Sequence, residues 1–108
     1  MSQQILQVNF NFNVPREQYE DAVAPLAKDF AVVPGCVWKI WLVNEETSEA
    51  GGIYLFADES SLESFKSSPL VASTLRNPAL SNFSIKQFGV LEAISRATRA
   101  PLAQAMAA

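Results

Sequence analysis

The chain is 108 residues long, 49% apolar and 18% charged, with a net charge of −3, which leaves room for one modest core and rules out the composition of a disordered chain. Eight basic against eleven acidic residues, scattered rather than striped, argue against a nucleic-acid binder, and no run approaches the ~18 apolar residues of a membrane span. One cysteine, Cys36, and no histidine exclude an intrachain disulfide, cysteine-cluster metal sites and the commonest zinc and haem ligands.

Chemistry therefore falls to carboxylates, Lys, Tyr, Trp, the lone thiol or the substrate itself. Neither a metal nor a cofactor is expected. The first residues run into a strand with no positive region or apolar segment ahead of it, so a cytoplasmic home is the expectation. A single domain over 1–108 is expected, with a core of about 4–92 and a tail of 93–108.

In the first strand Leu6, Val8, Phe10 and Phe12 alternate with Gln7, Asn9, Asn11 and Asn13, the period of a strand with one apolar face. A helix follows, with Pro15 suited to its first position and Glu17, Glu20 and Asp21 near its positive end. Tyr19, Val23, Leu26, Ala27 and Phe30 form its apolar stripe. Pro25 interrupts that stripe and predicts a kink within one helix. Pro34-Gly35 ends it.

Two strands, Val37–Asn44 and Gly52–Ala57, are joined by the charged loop Glu45 to Glu49, and a hairpin is the simplest connection. Trp38, Ile40 and Leu42 fall on one side of the first and Val37, Trp41 and Val43 on the other; Ile53 and Leu55 oppose Tyr54 and Phe56 in the second. A second helical region opens on the capping-box pattern Ser60-x-x-Glu63. Ser68-Pro69 restarts it and Asn77-Pro78 ends it. The last strand spans Phe83–Leu91, with Phe83, Ile85 and Leu91 on one side and Phe88 and Val90 on the other. The Ala-rich remainder, with Ile94, Leu102 and Met106, fits either a short helix lying on a partner or a frayed tail.

The order β, α, β, β, α, β predicts an α+β, ferredoxin-like domain: a four-stranded antiparallel sheet with helices on one face. Two helices cover one side of such a sheet, and the other would leave apolar side chains, including a Trp, in water. Monomers rarely expose a contiguous patch beyond a few hundred Å². Burying about 600 Å² at ~25 cal/mol per Å² is worth roughly 15 kcal/mol before association costs. A homodimer pairing sheet to sheet is therefore expected, the alternative cover being the C-terminal tail.

The densest segment is Pro34-Gly35-Cys36-Val37-Trp38-Lys39-Ile40-Trp41. The two Trp point to opposite faces, so one can line a helix-side pocket while the other packs at an interface, or both are plain core. Lys39 shares the face of Trp41; a Lys flanked by aromatics binds an anionic or phenolate group, or snorkels to an edge. Gly51-Gly52 either makes a bulge or clears space for a ligand. Tyr54 is the best hydrogen-bond donor in the expected cavity, unless its hydroxyl sits at the rim. Glu45, Glu46 and Glu49 read as a solvated run, and Cys36 has no basic neighbour before Lys39.

Pro-Gly-x-x-Trp-Lys-x-Trp at 34–41, followed by Glu49-Ala-Gly-Gly-Ile-Tyr-Leu-Phe-x-Asp-Glu59, resembles the signature of the YdhR-like monooxygenase family. The resemblance runs from the first strand to about Pro101, and the second block is close to identical over its eleven positions. It implies a dimeric α+β barrel. It also implies likeness to cofactor-independent oxygenases of antibiotic biosynthesis, which oxidise polycyclic phenols to quinones with electrons supplied by the substrate. Those enzymes place an Asn on the third strand and a Trp at the start of the following helix, where this chain has Tyr54 and Asp58, so their catalytic residues do not carry over. Arg76 loosely approximates a pocket Arg. Haem-degrading members of the superfamily depend on His, which this chain lacks.

The expected function is a cofactor-independent monooxygenase acting on a small aromatic or polycyclic phenol with dioxygen. Tyr54 and Lys39 would hold the phenolate, with Trp38, Trp41, Phe56 and Arg76 at the substrate. The alternative is a dimeric small-molecule binding protein without turnover. A third reading, a lactone isomerase or similar enzyme, predicts turnover without oxygen.

Overall fold

The computed structural model describes residues 3–103. In chain order the elements are β1 (Gln4–Phe12), α1 (Arg16–Val23), α2 (Ala27–Ala31), β2 (Cys36–Asn44), β3 (Glu49–Phe56), α3 (Glu59–Lys66), α4 (Pro69–Leu75), β4 (Leu80–Gly89) and α5 (Glu92–Ala97). The strands form one antiparallel sheet in the order β2-β3-β1-β4. This is the ferredoxin-like α+β fold expected from the element order. No helix among the described residues is long and apolar enough to cross a membrane.

The alternation in β1 sets which face is the core. Leu6, Phe10 and Phe12 are buried under the helices, and the register places Leu6 opposite Tyr54, Val8 opposite Gly52 and Phe10 opposite Ala50. One cluster gathers Leu6, Phe30, Tyr54, Phe56, Leu62 and Phe65. A second gathers Phe10, Phe12, Tyr19 and Ala50 at the other end.

Several boundaries differ from the sequence expectation. Arg16, not Pro15, is the first helical residue, because Pro15 sits at ψ 149° in the preceding extended position. Pro25 does more than kink a helix: Ala24–Leu26 tighten into a 3-10 turn between α1 and α2, since a proline offers no N–H to the helical ladder and its ring crowds the carbonyl four residues back. α3 is capped by Asp58, whose carboxylate accepts the Ser61 N–H at 2.8 Å, rather than by Ser60, which donates to the same carboxylate.

Glu49 belongs to β3, opposite Asn11 and Asn44, so the hairpin loop is shorter than its charge run suggested. β2 begins at Cys36, with Val37 the extra residue of a bulge between the Cys36–Phe56 and Trp38–Leu55 pairs. β4 runs Leu80–Gly89, which leaves Leu91 outside the sheet as the residue preceding α5.

The tail is not frayed through Ala103. Gln3 donates its backbone N–H to Glu92 at 3.0 Å and exchanges two side-chain hydrogen bonds with the Ala103 backbone, at 2.9 and 3.2 Å. The Trp38 indole donates to the Pro101 carbonyl at 2.7 Å. This segment lies over one end of the sheet's second face, where Leu55 is fully buried. Met106 lies outside the described residues. The second face is also less uniformly apolar than expected, because β1 presents Gln7, Asn9 and Asn11 there, with Gln7 and Asn9 hydrogen-bonded to each other at 3.0 Å.

Candidate functional site

The β2–β3 hairpin places Lys39 opposite Tyr54 and Trp41 opposite Gly52 on the helix side of the sheet. Gly52 clears the path between them: a Cβ there would come within 2.7 Å of Lys39 Cε and 3.5 Å of the Tyr54 ring. Its neighbour Gly51, at φ +155°, is needed for a different reason, since a Cβ would strike the Val8 carbonyl at 1.9 Å. The space expected for a bulge or a ligand thus divides into close strand approach at Gly51 and a channel for the Lys39 stem at Gly52.

From that channel the Lys39 amine reaches the aromatic faces above it. It stands 3.4 Å from the Trp41 ring centroid, 3.5 Å from that of Phe30 and 4.7 Å from that of Tyr54. Phe30 arrives from α2 and meets Trp41 edge-on, with centroids 5.4 Å apart. No carboxylate pairs with Lys39 and no hydrogen bond holds its amine among the described residues. Burial brings the ammonium down to about 7. The ring faces work in the opposite sense, because a cation over a π face is stabilised. The group is held near the midpoint of its titration at neutral pH.

A pocket of about 100 Å³ opens beside this cage, bordered by Phe10, Tyr19, Phe30, Lys39, Trp41 and Tyr54. The Tyr54 side chain is buried, and burial pushes its phenol well above the usual range, so the hydroxyl stays protonated and is a donor. On the far side of Phe30, Lys39 and Trp41 lies an outer cleft of about 280 Å³ that also touches Cys36 and Trp38. Burial raises the Cys36 thiol, with Lys39 working against it. A larger, more open groove of about 530 Å³ runs between α2, α3 and α4. Its walls are serines, aliphatic side chains, Phe65 and the exposed Asp29, with no buried titratable group among the described residues, so the smaller pocket is the candidate site. Among the described residues no three His, Cys, Asp or Glu converge as a metal would require.

The structure brings Lys39, Tyr54 and Trp41 together. It does not bring the other three candidates to the pocket. Phe56 is fully buried behind Tyr54, at a 6.1 Å centroid distance. Trp38 is on the opposite face, bound to Pro101. Arg76 is exposed at the C-terminal end of α4. Sequence reasoning missed Phe30 and Tyr19 as site residues. Both were legible as members of a helical apolar stripe, but only the packing of α2 over β2 shows that Phe30 faces a lysine.

The family profile described as "Putative mono-oxygenase ydhR" matches residues 5–101. No curated protein sequence matches the chain. Among solved structures, a protein of unknown function from Nitrosomonas europaea is 21% identical with a TM-score of 0.72, covering 84% of this chain and 91% of its own. SnoaB, a cofactor-independent oxygenase from Streptomyces nogalater, is 21% identical with a TM-score of 0.67, covering 85% and 96%. The haem degrader MhuD from Mycobacterium tuberculosis, solved with two haems in its active site, is 15% identical with a TM-score of 0.63, covering 81% and 95%. At these identities the likeness is one of fold.

Proposed function

The chain belongs to the ydhR mono-oxygenase family, and from that premise we propose that it oxidises a small phenol with dioxygen, without a cofactor, in the pocket between Lys39 and Tyr54. The observation that carries this reading is the Lys39 amine, caged by three rings, free of any carboxylate and brought down to about 7.

A free amine accepts the phenolic proton and the resulting ammonium holds the phenolate. The protonated Tyr54 hydroxyl donates to the same oxygen. Making the phenolate raises its reducing power, and its electrons pass to dioxygen. For a phenol with an unsubstituted para carbon the reaction balances as phenol plus O₂ giving para-quinone plus water. One oxygen atom enters the ring and the other leaves as water.

Size narrows the substrate. Ligand pockets commonly run to ~300–1,000 Å³, and about 100 Å³ suits a single ring. A polycyclic phenol requires Lys39 and Trp41 to move and join the pocket to the outer cleft. The acting unit is a homodimer paired through the uncovered sheet face.

An oxygen electrode with a panel of monocyclic and polycyclic phenols that have an unsubstituted para carbon tests the reading. Oxygen uptake above the background rate, lost in Lys39→Met, supports it; ligand binding without uptake establishes the alternative of a non-catalytic binding protein. That second reading draws support from Tyr54 and Asp58, which replace the Asn and Trp of the phenol-oxidising relatives. An absorption spectrum of the purified protein tests cofactor independence, because a flavin or haem band overturns it.

A further inference from the structure

The chain has four lysines. Lys28, Lys66 and Lys86 are exposed, and Lys66 is paired with Glu63 and Gln87. Lys39 differs from all of them. Its amine lies against three ring faces at the boundary between the ~100 Å³ pocket and the outer cleft, with no hydrogen bond among the described residues to break when its proton leaves.

A nucleophilic amine needs an available lone pair, access to an electrophile and room for the adduct. Burial supplies the first, since an ammonium brought down to about 7 is roughly half free base at neutral pH, where an ordinary lysine is almost wholly protonated. The pocket supplies the other two. The titratable groups around the amine are Tyr54 from β3, Tyr19 from α1 and Cys36 on its own strand. Among the described residues no carboxylate and no second cation border the pocket, so the site selects a neutral, planar, apolar electrophile.

We propose that Lys39 is a covalent carbonyl-binding site, whose amine condenses with a small aromatic aldehyde seated between Trp41, Phe30 and Tyr54 to form an imine. The Nζ lone pair attacks the carbonyl carbon; the C–N bond forms as the C=O π bond opens. The proton passes from nitrogen to oxygen, giving a carbinolamine. The C–O bond then breaks, the hydroxyl leaves as water after taking a proton, and the nitrogen lone pair closes the C=N bond of an iminium, whose remaining N–H proton returns to the group that protonated the hydroxyl and leaves the imine. The Tyr54 phenol, still protonated, is the donor at hand for the departing oxygen. Nothing is oxidised or reduced, and the step is independent of the phenol oxidation proposed above.

Reductive trapping on the intact protein tests it, with benzaldehyde and cyanoborohydride at pH 7 followed by peptide mapping. One benzyl group per chain at Lys39, introduced at least about tenfold faster than at Lys28, Lys66 or Lys86, supports the site. So does a Lys39 rate that levels off above pH about 7. Lys39→Arg loses the fast site and keeps the slow ones. Even labelling of all four lysines in the native protein, or Lys39 slower than the exposed ones, overturns the proposal. The wild-type map decides this alone if the variant does not fold. Absence of oxygen uptake with phenols leaves either result standing.

Discussion

Tyr54 offers a way to separate binding from folding, because its ring is packed and its hydroxyl is not tied down. The ring contacts Phe30, Phe56 and Phe65 at centroid distances of 6.0, 6.1 and 5.1 Å, while no hydrogen bond to the hydroxyl occurs among the described residues. Tyr54→Phe keeps the packing, so its melting temperature is expected to stay close to wild type. Its affinity for a phenol, measured calorimetrically, is expected to fall about tenfold, roughly 1.4 kcal/mol for one lost charge-assisted hydrogen bond. Lys39 leaves its mark on stability instead. The unfolded chain holds the Lys39 proton to an ordinary value of 10.5 and the folded chain only to about 7. Between those values the unfolded state binds more protons, and stability rises with pH. Thermal melts are therefore expected to gain about 2 kcal/mol between pH 7 and 9, discounted for the partly open position of the amine. Above that, the raised Cys36 thiol opposes the trend, since its folded form keeps a proton that the unfolded form loses. Lys39→Met is expected to flatten the rise; an unchanged slope would mean that the amine titrates normally.

At the scale of elements, the two helix starts on the α3–α4 side make a matched pair. Asp58 accepts from Ser61 N–H and Ser68 accepts from Val71 N–H, at 2.8 and 3.4 Å. Ser68→Ala is expected to cost about 1 kcal/mol in urea unfolding. Asp58→Ala should shift the midpoint in the same direction, and Ser60→Ala should leave it nearly unmoved. The reverse ranking of the last two would restore Ser60 as the cap. Asp58 and Ser60 are both good caps, and only the chain's exit angle from β3 decides which reaches the first free N–H. Strand identity was legible wherever period two was strict, as in Leu6 to Phe12. Strand ends were not, because Glu49 and Leu80 are drawn into the sheet by pairing with Asn11 and Phe12, partners far away in sequence. Trp41 and Lys39 could be assigned to one face from alternation alone, whereas Tyr54 joins them only through the β2–β3 register. That the lysine lies under a helix residue, Phe30, depends on how the 3-10 turn at Pro25 redirects α2, and no local pattern encodes that.

At the scale of the whole molecule, one sheet face is left uncovered by the helices among the described residues. The tail closes the end around Leu55 through Gln3, Trp38 and Pro101, yet Ile40 and Phe88 on the two edge strands remain 50% and 49% exposed. Leu91, which precedes α5, and Ile94 within it are 72% and 66% exposed. The polar row of Gln7 and Asn9 between them means the face cannot be covered by grease alone; a partner must also meet those amides. A second copy brings both, an apolar strip and a row of amides able to donate and accept. Association at micromolar concentration is expected to give a species of twice 11.8 kDa by sedimentation, little changed by salt, because burial rather than ion pairing drives it. Phe88→Glu or Ile40→Glu places a charge in that strip and should return the chain to 11.8 kDa with its secondary structure intact, since both side chains lie outside the buried core. Association that persists in both variants would mean that the copies meet elsewhere. A wild-type species of 11.8 kDa would leave the half-exposed strip for some other partner and take the pairing of sheets with it.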